Sequence, residues 1–182
     1  MRRIVLLSAP LTVAAGVYSL VASGRLTLDL GIGRTVWPLG PITRTIAAPP
    51  EVVFDVVAGP YMRTPRAMKD KLRIWERTDQ MVLAEHLTRT GPLTTSTVET
   101  VTFDRPHRIA FRLVRGPVPH VVETYELTAT GESTEFVYQG EIGADLWAVG
   151  SWWADRVAGP WERAVAESID SIQVEAERQA AK

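Results

Sequence analysis

The side chains with chemical potential in this chain are carboxylates and phenols placed at alternate positions of strand-like runs. In Met81–Arg89, the apolar residues Met81, Leu83 and Leu87 share a parity with Glu85. In Thr94–Phe103, Val101 and Phe103 share one with Glu99. In His120–Ala129, Val121, Tyr125 and Leu127 share one with Glu123. In the first run, Ile42 and Ile46 flank Arg44. Alternation therefore predicts three carboxylates and one guanidinium on the face turned toward the core. Buried charge is costly unless paired, so these groups must pair with one another or meet water and ligand in a cavity. Tyr138, on the same inferred face as Tyr125, adds a hydroxyl that can fix a ligand's carbonyl or hydroxyl group. A carboxylate in such a place can have a raised pKa and act as acid or base. A bulge or strong twist would instead turn some of these groups to solvent.

Other chemistries find no support. The chain has no cysteine, which excludes thiolate nucleophiles, disulfides and cysteine metal sites. His86, His107 and His120 stand at no spacing that suits a metal, so neither metal nor cofactor is expected. There is no Gly-x-Ser-x-Gly elbow, and "GESTE" reads as a hairpin turn. "GIGRTV" begins like a dinucleotide loop but lacks the third glycine and a following helix. Arg105, His107 and Arg108 read as a solvated turn. A net charge of −1 over 182 residues provides no basic face for nucleic acid.

The elements that must position the carboxylates follow from periodicity. "ITRTIA" alternates, and "APPEVVFDVVAGP" places prolines at a helix start and a Gly-Pro stop at its end. "YMRTPRAMKD" is a second short helix or turn. Six further alternating runs are Lys71–Arg77, Met81–Arg89, Thr94–Phe103, Arg108–Arg115, His120–Ala129 and Thr134–Gly143. Short turns between them imply an antiparallel meander. The stiff connection "RGPVPH", Arg115–His120, reads as an ordinary loop or a lip at a cavity mouth. A helix of about thirty residues comes last, with an apolar stripe at Leu146, Val149, Trp153, Val157, Trp161, Val165, Ile169 and Ile172. Pro160 interrupts it and should bend it. Trp153 and Trp161 lie on the stripe, whereas Trp152 falls off it and is free to touch a membrane or a partner.

The N-terminus has a different character. Ile4–Gly24 carries no charge, and as a helix would span roughly 30 Å, the hydrocarbon thickness of a bilayer. This predicts a single transmembrane helix, with a cleaved signal ending near Ala22-Ser23-Gly24 as the alternative. Arg2 and Arg3 before the run, against Arg25, Asp29 and Arg34 after it, favour an extracytoplasmic domain by a charge or two. Residues 1–25 are thus read as anchor, 26–41 as linker and 42–182 as the folded domain. Alternating Leu26, Leu28, Leu30 and Ile32, followed by Trp37, would suit either an extra edge strand or the membrane interface.

The order strand, two short helices, six strands, long helix, opened by "ITRTIAAPPEVVFDVVAG" and closed by "FVYQGEIGADLWAVGSWWADRVAGPWERAVAESIDSI", resembles the START-like polyketide cyclase/dehydrase (SRPBCC) superfamily over about Ile42 to Arg178. The resemblance implies an α+β helix-grip fold: a seven-stranded antiparallel sheet wrapped around the C-terminal helix. It also implies a hydrophobic cavity between them for a lipid, polyketide or quinone-like ligand. The ligand-binding candidates are then Arg44, Glu85, Glu99, Phe111, Glu123, Tyr125, Tyr138, Trp153, Val157 and Trp161. Three functions remain open. They are membrane-anchored binding or transport of a hydrophobic small molecule, cyclase or dehydratase activity on a polyketide-like substrate, and an accessory role in a membrane complex.

Overall fold

The computed structural model describes residues 8–90 and 93–182. Helix α1 (Ser8–Ala22) precedes strand β1 (Thr35–Ile46). Helix α2 (Pro50–Met62) and a 3₁₀ turn (Arg66–Met68) follow. The meander β2 (Leu72–Arg77), β3 (Met81–Thr90), β4 (Leu93–Asp104), β5 (Arg108–Arg115), β6 (His120–Thr130) and β7 (Ser133–Ala144) leads into α3 (Trp147–Ala180). One seven-stranded sheet runs β1-β7-β6-β5-β4-β3-β2 with every neighbour antiparallel. This is the α+β helix-grip arrangement. The first strand pairs with the last, so the chain closes the sheet's topology before α3 crosses its concave face.

Two sequence expectations about helices change. Pro60 does not stop α2; it lies inside the helix, which ends at Met62. A proline this close to the C-terminus removes only one intrahelical bond. The Arg63 N–H to the Gly59 carbonyl and the Thr64 hydroxyl to the Pro60 carbonyl close the end. In α3, Val149 belongs to the surface, at 65% exposure, and Leu146 is the N-cap, in a left-handed conformation. The inner positions of the first turns fall instead to the buried Gly150 and Ala154. A Cβ on Gly150 would stand 1.8 Å from the Asp145 carbonyl oxygen, so no other residue fits there without backbone movement. Farther along, the stripe changes character. Trp153, Val157, Trp161 and Val165 are half-buried, while Ile169, Ile172 and Ala176 are buried in the core with Val53, Phe54 and Phe136.

From Ser8 onward, the described part of the N-terminal segment packs against the sheet and α3. Among the described residues no helix is long and apolar enough to cross a membrane. The 15 described residues of α1 reach about 22 Å. Ile4–Leu7 of the expected span lie outside the described residues. The C-terminal end of α1 is tied to the sheet. The Ser96 N–H donates to the Ser23 carbonyl at 2.9 Å, and the Thr95 hydroxyl to the Ala22 carbonyl at 3.3 Å. Thr27 then exchanges two 2.8 Å hydrogen bonds with the backbone of Gly116. Asp145 accepts from the N–H groups of Leu30 and Gly31 and from Arg34, which fastens the following segment to the β7–α3 corner. These donors hold the Asp145 carboxyl down at about 2, the Arg34 hydrogen bond contributing most.

The division of α3 into a loosely packed and a fully packed half can be measured by chemical denaturation. Ile169→Ala removes a side chain with no exposure and should cost about 2–5 kcal/mol. Val157→Ala, already half-exposed, should cost less than about 1 kcal/mol because fewer contacts are lost.

Candidate functional site

Where α3 loosens, a cavity of about 490 Å³ opens between the helix and the concave face of the sheet. Its α3 wall includes Trp153, Val157, Pro160, Trp161 and Val165. Strands β3 to β6 supply His86, Thr88, Thr95, Thr97, Glu99, Phe111, Glu123 and Tyr125; α2 supplies Tyr61, and α1 supplies Tyr18 and Ala22. A chain of aromatic contacts runs through Tyr61, Phe111, Tyr125 and Phe136. The Phe111–Tyr125 and Tyr125–Phe136 ring centroids lie 5.0 Å apart. Such rings offer flat apolar surface to a ligand.

The polar fixtures form two linked groups. In the first, one carboxylate oxygen of Glu123, Oε1, accepts from the Tyr138 hydroxyl at 2.6 Å and the Trp161 indole N–H at 2.8 Å. Burial first, and the neighbouring negative charge of Glu99 second, raise the Glu123 pKa to about 7. In the second, His86 Nδ1 lies 3.3 Å from Glu99 Oε2, and Nε2 lies 3.0 Å from the Tyr61 hydroxyl. Burial opposes charge on both members of the His86–Glu99 pair. Their attraction outweighs it, raising His86 and lowering Glu99. The cavity thus holds a His86–Glu99 pair whose charged form is favoured by mutual attraction, beside a Glu123 carboxyl poised near neutral pH between its two protonation states. Burial also pushes Tyr61, Tyr125 and Tyr138 upward, so all three phenols stay protonated and can donate. This set can donate to a ligand's oxygen and can take up or release one proton.

Of the ten candidates named from sequence, Glu99, Phe111, Glu123, Tyr125, Trp153, Val157 and Trp161 line this cavity. Tyr138 stands behind the wall, holding Glu123. Two candidates lie elsewhere. Arg44 keeps its inward parity but reaches only the rim, where it pairs with Asp170 of α3 at 3.5 Å. Glu85 is buried on the opposite face of the sheet from His86. It accepts from Ser96 at 2.6 Å and Trp75 at 3.2 Å, and pairs with Arg115. The Ser96 hydrogen bond, working against burial, keeps its pKa below the usual carboxylate range. Met81, Leu83 and Leu87 are therefore the outer set of β3. The concave face carries Val82 and Ala84, both unexposed, and His86. Sequence reading missed His86, Tyr61 and the cavity threonines. An inner parity of Val82–Ala84–His86–Thr88 would have found two of these groups.

The sequence from 42 to 177 matches the family model described as polyketide cyclase/dehydrase and lipid transport. The chain belongs to that family. The Zhui aromatase/cyclase from Streptomyces sp. R1128 is 19% identical, with a TM-score of 0.64 over 80% of this chain and 95% of that one. Norcoclaurine synthase from Thalictrum flavum, in complex with dopamine and hydroxybenzaldehyde, is 14% identical, with a TM-score of 0.60 over 78% and 86%. Ara h 8.0201 is 12% identical, with a TM-score of 0.53 over 82% and 99%. At these identities the likeness establishes the shared helix-grip fold. No curated protein sequence matches the chain.

The Glu123–Glu99 coupling has a definite sign. With a folded pKa of about 7 against an ordinary 4.5, Glu123 contributes stability that is full below pH 4.5 and lost as pH rises through about 7. Carboxyl ¹³C NMR should show a Glu123 midpoint near 7, and Glu99→Gln should lower it by removing the neighbouring charge. In Glu123→Gln, the fall in stability between pH 5 and 7.5 should shrink by on the order of 2 kcal/mol.

Proposed function

We propose that the protein binds a hydrophobic small molecule bearing carbonyl or hydroxyl groups, polyketide-like or polycyclic, in the cavity between the sheet and α3. We further propose that its N-terminal segment holds it at a membrane, with the domain on the extracytoplasmic side. The observation that carries the binding reading is the pairing of aromatic walls with a protonatable Glu123 at the cavity's centre of polarity. An apolar cavity without polar fixtures would suit a hydrocarbon. One with Glu123, His86, Tyr61 and three threonines suits an oxygenated ring system. An unfilled interior of about 490 Å³ also speaks for a ligand rather than for a scaffold role in a membrane complex, which would permit a filled core. The membrane reading is supported by the uncharged run Ile4–Gly24.

A second reading, cyclase or dehydratase, is favoured by one cavity holding both a carboxyl group with a raised pKa, Glu123, and a His86–Glu99 pair. Those groups could polarise a carbonyl and move a proton, which cyclisation and dehydration of a polyketide-like chain both require. The activities of two structurally similar proteins, an aromatase/cyclase and norcoclaurine synthase, are compatible with it.

Native mass spectrometry of the full-length protein from its own membranes should reveal a co-purifying aromatic or lipid-like molecule. Finding no bound molecule, together with tryptophan fluorescence indifferent to every polycyclic probe, would defeat the cavity reading. Glu123→Gln keeps an acceptor for Tyr138 and Trp161 and should weaken binding by no more than about tenfold, the worth of one hydrogen bond. If the protein is an enzyme, the same variant should lose at least about a hundredfold in turnover with binding retained.

A further inference from the structure

A second chamber of about 440 Å³ lies between α1, the segment Leu28–Leu30 and the first turns of α3. Its walls are apolar, and Asp145 is the one charged side chain among the described residues that line it. That carboxylate is already engaged by Arg34 and by the N–H groups of Leu30 and Gly31, so it offers a ligand little. The two chambers share three wall residues: Tyr18, Pro117 and Trp153. The Tyr18 and Trp153 rings meet edge to face at 5.7 Å, and the Trp153 indole N–H donates to the Pro117 carbonyl at 2.7 Å. A pair of aromatic rings thus partitions an apolar outer chamber from the polar inner one.

The outer chamber's rim is strongly apolar and exposed. Val149 is 65% exposed and Trp152 51%. The Arg156 guanidinium stacks over the Trp152 ring at 4.3 Å, and Arg25 is exposed just beyond the end of α1. Indole with arginine at the edge of an apolar surface matches the boundary between acyl chains and headgroups. The occupant is also indicated by continuity. α1, which forms the chamber's wall, is the end of the uncharged run that begins at Ile4. The same chain segment that favours lipid therefore leads to the chamber's rim.

We propose that the outer chamber is a second ligand subsite that faces a lipid bilayer. It takes the apolar end of an amphiphile directly from the membrane, while the oxygenated end passes the Tyr18–Trp153 partition into the inner cavity. This rests on the inner cavity being a ligand site. It narrows the ligand to a membrane-borne amphiphile with an oxygenated ring or chain head and an apolar tail. It also gives α1 a role that a simple tether would lack, since α1 supplies both the wall of the outer chamber and half of the partition.

The test uses the full chain, vesicles of phosphatidylcholine and phosphatidylglycerol, and pyrenedecanol as the amphiphilic probe. Vesicles with brominated acyl chains should quench part of the tryptophan fluorescence. Trp152→Phe should remove much of that quenching. Val149→Asp with Trp152→Glu places charge on exposed rim positions, which leaves the core untouched. It should slow pyrenedecanol transfer from vesicle to protein at least about tenfold. Val174→Asp, the same kind of change at an exposed position on the far end of α3, should leave transfer unchanged. Equal transfer rates in the rim variant and wild type, with the probe bound by both, would overturn the vestibule and leave the cavity reading standing. Failure of wild-type protein to bind the probe from vesicles or from solution would overturn both. Loss of quenching accompanied by self-association of the wild-type chain in sedimentation would assign the rim to a second copy and overturn the bilayer.

Discussion

The indole N–H of Trp161, bonded to Glu123 Oε1 at 2.8 Å, sets the distance between α3 and the sheet. A buried indole needs an acceptor, and this one finds it on a carboxylate that also needs donors. Each satisfies the other across the gap. Trp153 repeats the device toward the lip, where its N–H reaches the Pro117 carbonyl at 2.7 Å. The two indoles act as struts. Beyond them, where Ile169, Ile172 and Ala176 replace the tryptophans, α3 settles fully onto the core. The helix is therefore aromatic over the half that must stand off and aliphatic over the half that must pack. A cavity so held open does not depend on a void surviving collapse, which close packing disfavours.

The same strut places the chemistry. Glu123 is held in a low-dielectric site by two neutral donors, Tyr138 and Trp161, which satisfy it without supplying a full positive charge. Glu99, by contrast, has the His86 ring. Two carboxylates on neighbouring parts of one concave face thus differ because their partners differ. One is stabilised as an ion, and the other is pushed toward its neutral form by burial and by the first one's charge. Removing the imidazole would disturb both, since the three groups titrate as a unit.

How much of this could be read from sequence depends on the strand. Strands β4 and β6 alternate with bulky apolar partners on the core side, so Glu99 and Glu123 were legible from parity alone. On β3 the large residues Met81, Leu83 and Leu87 lie on the outer face. The concave side carries the small Val82 and Ala84. Side-chain size therefore misled the assignment, and His86 went unseen. Arg44 shows a different failure. Its parity was right, but Asp170 on α3 intercepts it at the rim, a tertiary fact that alternation cannot contain. Hydropathy alone likewise could not register that Ser23 pairs with Ser96 or that Tyr18 packs on Trp153.

Pro160 closes the account of α3. A proline removes the N–H that would serve the carbonyl four residues earlier, here that of Arg156. In a packed core that orphaned carbonyl would cost free energy comparable to a lost hydrogen bond. Both Pro160 and Arg156 line the inner cavity, so the broken rung lies beside open volume, where water or a ligand's hydroxyl group has room to satisfy it. The position is two turns beyond Trp153 and immediately before Trp161. A helix that had to lie flat on the sheet would exclude proline there. A helix propped away from the sheet tolerates it.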